Sequence, residues 1–221
     1  MLHKIRILNQ KQIDRVLSSN LQAEVVGNHL KSCIEMKGFS HQDGILDMYV
    51  DQSDHDALTC SNYRSGFTYK EYLEGDNYGW HSDEITNADG MRLDVSTTLF
   101  LNEEYEGGEL ELRLGDYSVY TKLPAGWAVV YPTGIVHQVR PVTRGTRQVV
   151  HWWNQSNVRN PFVREALSHV ECDDVYFTQL ERSLLYISII NNNKQFLLYT
   201  EKSNDLKKVN FNYILLDNPR I

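Results

Sequence analysis

Cysteine is scarce in this chain. Cys33, Cys60 and Cys172 are odd in number and share no CxxC or similar spacing, which disfavours both a disulfide framework and a thiolate zinc site and fits a reducing compartment. Long hydrophobic runs are missing as well. No stretch approaches the roughly 18 apolar residues of a membrane span. The amino-terminal MLHKIRILNQ places His3, Lys4 and Arg6 where a secretory leader needs apolar residues. A Lys/Arg stripe is also absent: 22 basic residues are scattered among 29 acidic ones, for a net charge of -7. Nucleic-acid binding by phosphate neutralisation is therefore not expected. These absences leave a cytoplasmic protein with no membrane and no nucleic-acid partner.

What is present is enough for one core. Hydrophobic residues make up 41% of the 221 and aromatics 11%, and chains of this size often form a single unit. No internal repeat or low-complexity linker divides it. One domain over 1–221 is expected, in three parts by texture. Residues 1–65 mix a short strand, KIRIL, with a helix in which Ile13, Val16 and Leu17 recur at helical spacing after Asn9, an N-cap residue. A second apolar-spaced stretch surrounds Val25 to Met36. From 66 to 156 the pattern changes to short β-type runs broken by turns: LDVSTTLFLN, GGELELRLGD, YSVYTKL, WAVVYP, GIVHQVRPV and TRQVVHWW. Strands at this spacing argue for a sandwich or barrel. In GGELELRLGD the alternation puts Leu110, Leu112 and Leu114 on one face. Residues 157–221 begin with helical spacing at Phe162, Ala166 and Val170. They end in an Asn- and Lys-rich tail where Val209, Phe211 and Tyr213 alternate, which fits a strand or a helix.

Within the β-rich part, His81-Ser82-Asp83 could supply two ligands to a metal. Two His and one carboxylate on one face of an octahedral iron leave three positions open, and residues i and i+2 of a strand point to the same side. The third ligand must then be a distant His on a facing strand. Of eight His residues, only His137 and His151 lie in the β-rich region downstream of His81. Arg147 follows His137 by ten residues across the turn PVTRG. A hairpin there puts the two on neighbouring strands, and an inward Arg offers a planar fork that matches a carboxylate. Arg147, Val149, His151 and Trp153 share one strand parity, so an inward Arg147 brings His151 inward too, as a pocket residue and a rival ligand.

The segments NYGWHSDE, TLFLNEEYEGGELEL and KLPAGWAVVYPTGIVHQVRPVTRGTR resemble, in that order, the Fe(II)- and 2-oxoglutarate-dependent dioxygenases. The branch they resemble is the bacterial PKHD-type hydroxylases, relatives of the prolyl 4-hydroxylases. The resemblance covers about residues 66–165. HxD alone is common; HxD followed by GGEL, LPAG, YP…H and GxR is specific. It implies an α+β, mainly β fold: a double-stranded β-helix (jelly-roll) core with flanking N- and C-terminal helices. It implies that His81, Asp83 and His137 hold Fe(II) and that Arg147 pairs with the far carboxylate of 2-oxoglutarate. Tyr72 would contact that cosubstrate, Tyr78 and Leu110 would line the pocket, and Trp153 falls at the family's aromatic after the Arg. The implied reaction uses O2 and decarboxylates 2-oxoglutarate to succinate and CO2 while a peptidyl or small-molecule substrate is hydroxylated, with ascorbate as the customary reductant. A homodimer is compatible with it.

Plainer readings apply elsewhere. His41-Gln42-Asp43 has no answering segment downstream and reads as a loop. His55, between Asp54 and Asp56, reads as surface, and His151 as a pocket or core histidine. Gly107 and Gly108 are turn glycines. Trp80, Trp127 and Trp152 are core or rim aromatics, and Glu103, Glu104 and Glu106 a solvated acidic loop. The rival to the enzyme is a cupin-like jelly-roll module that binds a metal or ligand without turnover. It leaves Arg147 unexplained.

Overall fold

The computed structural model describes residues 2–18, 24–27, 31–37, 45–53, 55–61, 63–168, 195–199 and 206–210. The chain divides into two compact units, Met1–Ser156 and Asn157–Ile221. Among the described residues, no helix is long and apolar enough to cross a membrane.

The first unit is a double-stranded β-helix. Its strands are β1 (His3–Arg6), β2 (Glu24–Gly27), β3 (Ser32–Lys37), β4 (Tyr63–Arg64), β5 (Thr68–Tyr72), β6 (Tyr78–His81), β7 (Val95–Phe100), β8 (Tyr105–Gly107), β9 (Leu110–Leu114), β10 (Tyr117–Thr121), β11 (Trp127–Pro132), β12 (His137–Val139), β13 (Val142–Gly145) and β14 (Arg147–Gln155). Among the described residues the larger sheet has eight strands in the order β1-β11-β7-β14-β5-β3-β2, with β4 also on β14. The smaller sheet runs β10-β9-β12-β6. Two apolar clusters fill the unit. One packs helix α1 (Gln10–Leu17) and helix α2 (Ile45–Asp51) on the larger sheet through Ile13, Val16, Leu46, Val50, Leu99, Val150 and Trp152. The other, with Phe100, Leu110, Leu112, Val129, Tyr131, Val139 and Val149, lies on the side of the sheet that carries the site.

The helix predicted after Asn9 is α1. Asn9 Oδ1 accepts from the Gln12 amide and Gln12 returns the bond to the Asn9 amide, a capping box that satisfies two otherwise orphaned donors. The stretch from Val25 to Met36 is a strand pair rather than a helix-spaced segment: β2 and β3 are antiparallel, with Val25 opposite Ile34. The hairpin β9–β10 turns at Gly115-Asp116 as expected. Leu110 and Leu112 are buried, but Leu114 is exposed because the strand runs out of the core at that end.

The double glycine has a steric cause. Both Gly107 and Gly108 adopt positive φ, and a Cβ on Gly107 would sit 2.2 Å from the Pro141 carbonyl oxygen. A Cβ on Gly108 would press on Arg147 Cδ at 3.1 Å. The pair thus lets the chain cross close behind the Arg147 side chain.

His55 departs from the surface position its acidic neighbours predict. It opens α3 (His55–Thr59) and is fully buried. Its Nε2 lies 2.9 Å from Thr97 Oγ1, and its ring packs on Trp152 at 5.1 Å between centroids. Burial lowers its pKa, against the opposing bond to Asp56. The unfolded chain takes up this proton near pH 6.5, the ordinary histidine value, where the folded chain does not. Stability from this group is therefore full above about pH 6.5 and is lost as pH falls below it. Urea midpoints measured from pH 7.5 to 5 are expected to decline less steeply in His55→Gln than in the wild type. Parallel slopes would contradict the assignment.

In the second unit, helix α4 (Pro161–Ser168) covers the predicted helical start, with Phe162 exposed. Strands β15 (Gln195–Tyr199) and β16 (Leu206–Asn210) pair antiparallel, so Val209 belongs to a strand. Val170, Phe211, Tyr213 and the His41-Gln42-Asp43 triplet lie outside the described residues.

Candidate active site

One pocket gathers most of the sequence candidates. It is lined by His81, Asp83, His137, Arg147, Tyr72, Tyr78, Leu110 and His151, and also by Lys70, Thr98, Tyr131, Val139 and Val149. Its empty space, the open mouth included, is about 360 Å³.

The two strands of the smaller sheet set the histidines. His81 and His137 are directly opposed in the antiparallel pair β6–β12, so His137 is a neighbour of His81, not a residue on a facing strand. Each ring is fixed in the same way. His81 Nδ1 donates to the Gly79 carbonyl and His137 Nδ1 to the Ile135 carbonyl, both at 2.8 Å. A carbonyl can only accept, so the proton sits on Nδ1 and the Nε2 lone pair faces inward. Tyr78 stacks on the His81 ring at 3.6 Å and 17°, and Tyr131 meets His137 edge-on at 5.4 Å.

Asp83 closes the triangle. Its Oδ1 is 3.6 Å from His81 Nε2 and 3.9 Å from His137 Nε2. These separations exceed hydrogen-bond length, and the three ligand atoms all lie within 4.8 Å of one another. Two inward lone pairs and a carboxylate oxygen, each without a hydrogen on the shared side, fit a cation with nitrogen and oxygen preferences such as Fe(II). The other oxygen, Oδ2, accepts from Trp153 Nε1 at 2.9 Å and from Ser96 Oγ at 3.1 Å. Burial raises the Asp83 pKa, but the surrounding polar groups, the Trp153 bond among them, outweigh it and hold the carboxyl far below its ordinary range. Burial also lowers the pKa of His137, so this ligand is neutral at neutral pH. Trp153, predicted as a pocket aromatic, thus acts on the carboxylate. Trp153→Phe is expected to weaken iron binding by about 10–100-fold, the usual effect of losing a partner behind a ligand. Titration with Fe(II) under anaerobic conditions measures it; unchanged affinity would remove Trp153 from the site.

Arg147 comes from the other sheet. The predicted hairpin neighbouring of His137 and Arg147 does not occur: β12 lies in the smaller sheet, β14 in the larger, and the intervening β13 pairs with β8. The two residues face each other across the pocket instead. Arg147 is almost wholly buried, opposite Tyr72 in the β14–β5 pair. Its guanidinium carbon lies 5.0 Å from the Tyr72 ring centre and 5.4 Å from that of Phe100, a cation held between aromatic rings. Among the described residues no carboxylate pairs with it, and its Nε has no hydrogen-bond partner. A buried charge in this state is costly unless an anion arrives. That suits the far carboxylate of 2-oxoglutarate. Tyr72 supports the cation as well as lining the pocket.

The parity along β14 holds: Arg147, Val149 and His151 all line the pocket, and Trp153 reaches Asp83. His151 Nδ1 is 3.3 Å from Thr98 Oγ1 and its Nε2 is 4.0 Å from Asp83 Oδ2. Burial pushes its pKa down to about 3, followed by the charge on Lys70. It is a neutral pocket residue beside the triad. Lys70, Ser96, Thr98 and Tyr131 were not singled out in the sequence. Parity would have found Lys70, two residues from Tyr72 on β5, and the same rule places Ser96 with Thr98 on β7.

Comparison with known proteins agrees with this geometry. Residues 67–155 match the model of the 2OG-Fe(II) oxygenase superfamily. The chain is 44% identical over 107 residues to a PKHD-type hydroxylase of Stenotrophomonas maltophilia, covering 45% of this chain and 47% of that protein. It is 48% identical over 99 residues to another of Picosynechococcus, covering 44% and 45%. The chain therefore spans about half the length of the curated relatives it matches. The fold is shared with a Pseudomonas putida prolyl-4-hydroxylase, at a TM-score of 0.55 and 21% identity over 71% of this chain and 92% of that one.

Proposed function

We propose that the protein is an Fe(II)- and 2-oxoglutarate-dependent dioxygenase that hydroxylates a peptidyl or small-molecule substrate in the cytoplasm. The observation that carries this is the pairing, in one pocket, of the His81–Asp83–His137 cluster with a buried Arg147 that lacks an anion. Iron, when bound, supplies activation of O2, so that 2-oxoglutarate loses CO2 to become succinate and the second oxygen atom enters a substrate C–H bond. The protein's part is placement. His81 and His137 offer Nε2 as the ligating atom, because Nδ1 of each ring is tied to a backbone carbonyl. Asp83 contributes the negative charge, with its other oxygen held by Trp153 and Ser96. Arg147 receives the distal carboxylate with its planar fork, and Tyr72 keeps the guanidinium from swinging away. Leu110, Val139 and Val149 line the space between and keep water from the chain of the cosubstrate.

The test is direct. Protein incubated aerobically with Fe(II), 2-oxoglutarate and ascorbate as reductant is expected to form succinate above an iron-only control, and faster when a true substrate is supplied. Bound iron and 2-oxoglutarate without any succinate would make the protein a binding module.

A further inference from the structure

We propose that Lys70 forms an anion-recognition subsite in this pocket, so that the hydroxylated substrate carries a carboxylate or phosphate group; this rests on the dioxygenase reading above. Lys70 stands on β5, two residues from Tyr72 and therefore on the same face. It is opposite Val149 on one neighbour and Glu35 on the other. Its side chain is only 12% exposed, and it lines the pocket together with His151 and Asp83. The position is a charged group in a space where each buried charge requires a partner.

Charge matching shows what Lys70 is left to hold. Its ion-pair partner among the described residues is Glu35, at 3.4 Å. Glu35 is itself buried and is held more closely by Lys31, at 2.6 Å. Both ammonium groups lie near the ring of Tyr78, at 5.5 Å for Lys31 and 5.8 Å for Lys70, the ring that stacks on His81. The two negative charges of 2-oxoglutarate are matched without Lys70. Arg147 takes one, and a divalent ion less the charge of Asp83 takes the other. A loaded site would therefore keep a cation at the pocket wall, beside the metal cluster, with only a shared carboxylate to balance it. An anionic substrate group supplies the missing charge and places the neighbouring C–H bonds near the metal.

The experiment uses the whole chain, anaerobic, with Fe(II) and saturating 2-oxoglutarate. Acetate, inorganic phosphate and neutral acetamide are titrated at constant ionic strength set with chloride, and the thermal midpoint is followed. Acetate or phosphate is expected to raise the midpoint in the wild type as bound ligands do, and acetamide is not. Lys70→Met should lose the response and Lys70→Arg, which keeps the charge, should retain it; circular dichroism checks that both fold. Half-saturation by 2-oxoglutarate, read from its visible band with iron, should change less than about twofold in Lys70→Met, a fraction of 1 kcal/mol. An anion response that survives in Lys70→Met, or none in the wild type, overturns the proposal. A roughly tenfold rise in 2-oxoglutarate half-saturation in Lys70→Met, about 1.4 kcal/mol, overturns it too and makes Lys70 a clamp on the cosubstrate. A wild type with no 2-oxoglutarate band fails differently, because the parent reading then falls first.

Discussion

Asp83→Ala is expected to lose iron binding and succinate formation together, by more than the roughly 100-fold that follows loss of a partner behind a ligand. Asp83 is the one carboxylate in the cluster. Without it the metal would face two neutral imidazoles, and the neighbouring His151, at 4.0 Å from Asp83 Oδ2, is a base held neutral by burial. The substitution also leaves Trp153 Nε1 without its acceptor, which costs about 1–3 kcal/mol, while Ser96 Oγ still has Thr133 Oγ1 at 3.1 Å. The variant should therefore be both metal-free and less stable. Asp83→Asn separates the two effects, because it keeps an acceptor for Ser96 and Trp153 and removes the charge. It is expected to recover much of the stability and little of the iron affinity. Iron binding retained in both variants would place the metal elsewhere.

Arg147→Met should act on the cosubstrate and spare the metal. A hydrogen bond to a charged group contributes about 1.5–3 kcal/mol, so half-saturation by 2-oxoglutarate should rise about 10–100-fold. Iron affinity should change little, because Arg147 enters from the opposite sheet and is not a member of the ligand cluster. Succinate, which keeps the distal carboxylate but lacks the keto group, should lose inhibition in parallel. A normal response to 2-oxoglutarate in this variant would move the anchor to another cation, and Lys70 is the one already in the pocket.

Local signals carried much of this account. The capping box at Asn9 starts a helix where it should, because both partners lie within one turn. Strand parity placed Arg147, Val149, His151 and Trp153 correctly, because β14 is regular over its whole length. Register between strands was less legible. The turn PVTRG suggests a simple hairpin, but a jelly roll sends successive strands to opposite sheets, and β13 pairs with β8 before β14 begins. His55 shows the same limit. Its acidic neighbours in the sequence suggest an exposed position, whereas its burial is decided by Thr97 and Trp152 on distant strands. The place of Lys70 is not legible in the sequence, because a lysine in a strand is usually exposed; here Glu35, on the adjacent strand, holds its ammonium group at the pocket.

The central claim is that one pocket binds iron through His81, Asp83 and His137 and 2-oxoglutarate through Arg147. Anaerobic titration of the iron-loaded protein with 2-oxoglutarate tests it most directly, by the weak visible charge-transfer band of a keto acid chelated to Fe(II). The wild type should develop the band, His81→Ala and Asp83→Ala should not, and Arg147→Met should require far more 2-oxoglutarate to reach it. A band that persists in both ligand variants, or that saturates normally in Arg147→Met, would contradict the account.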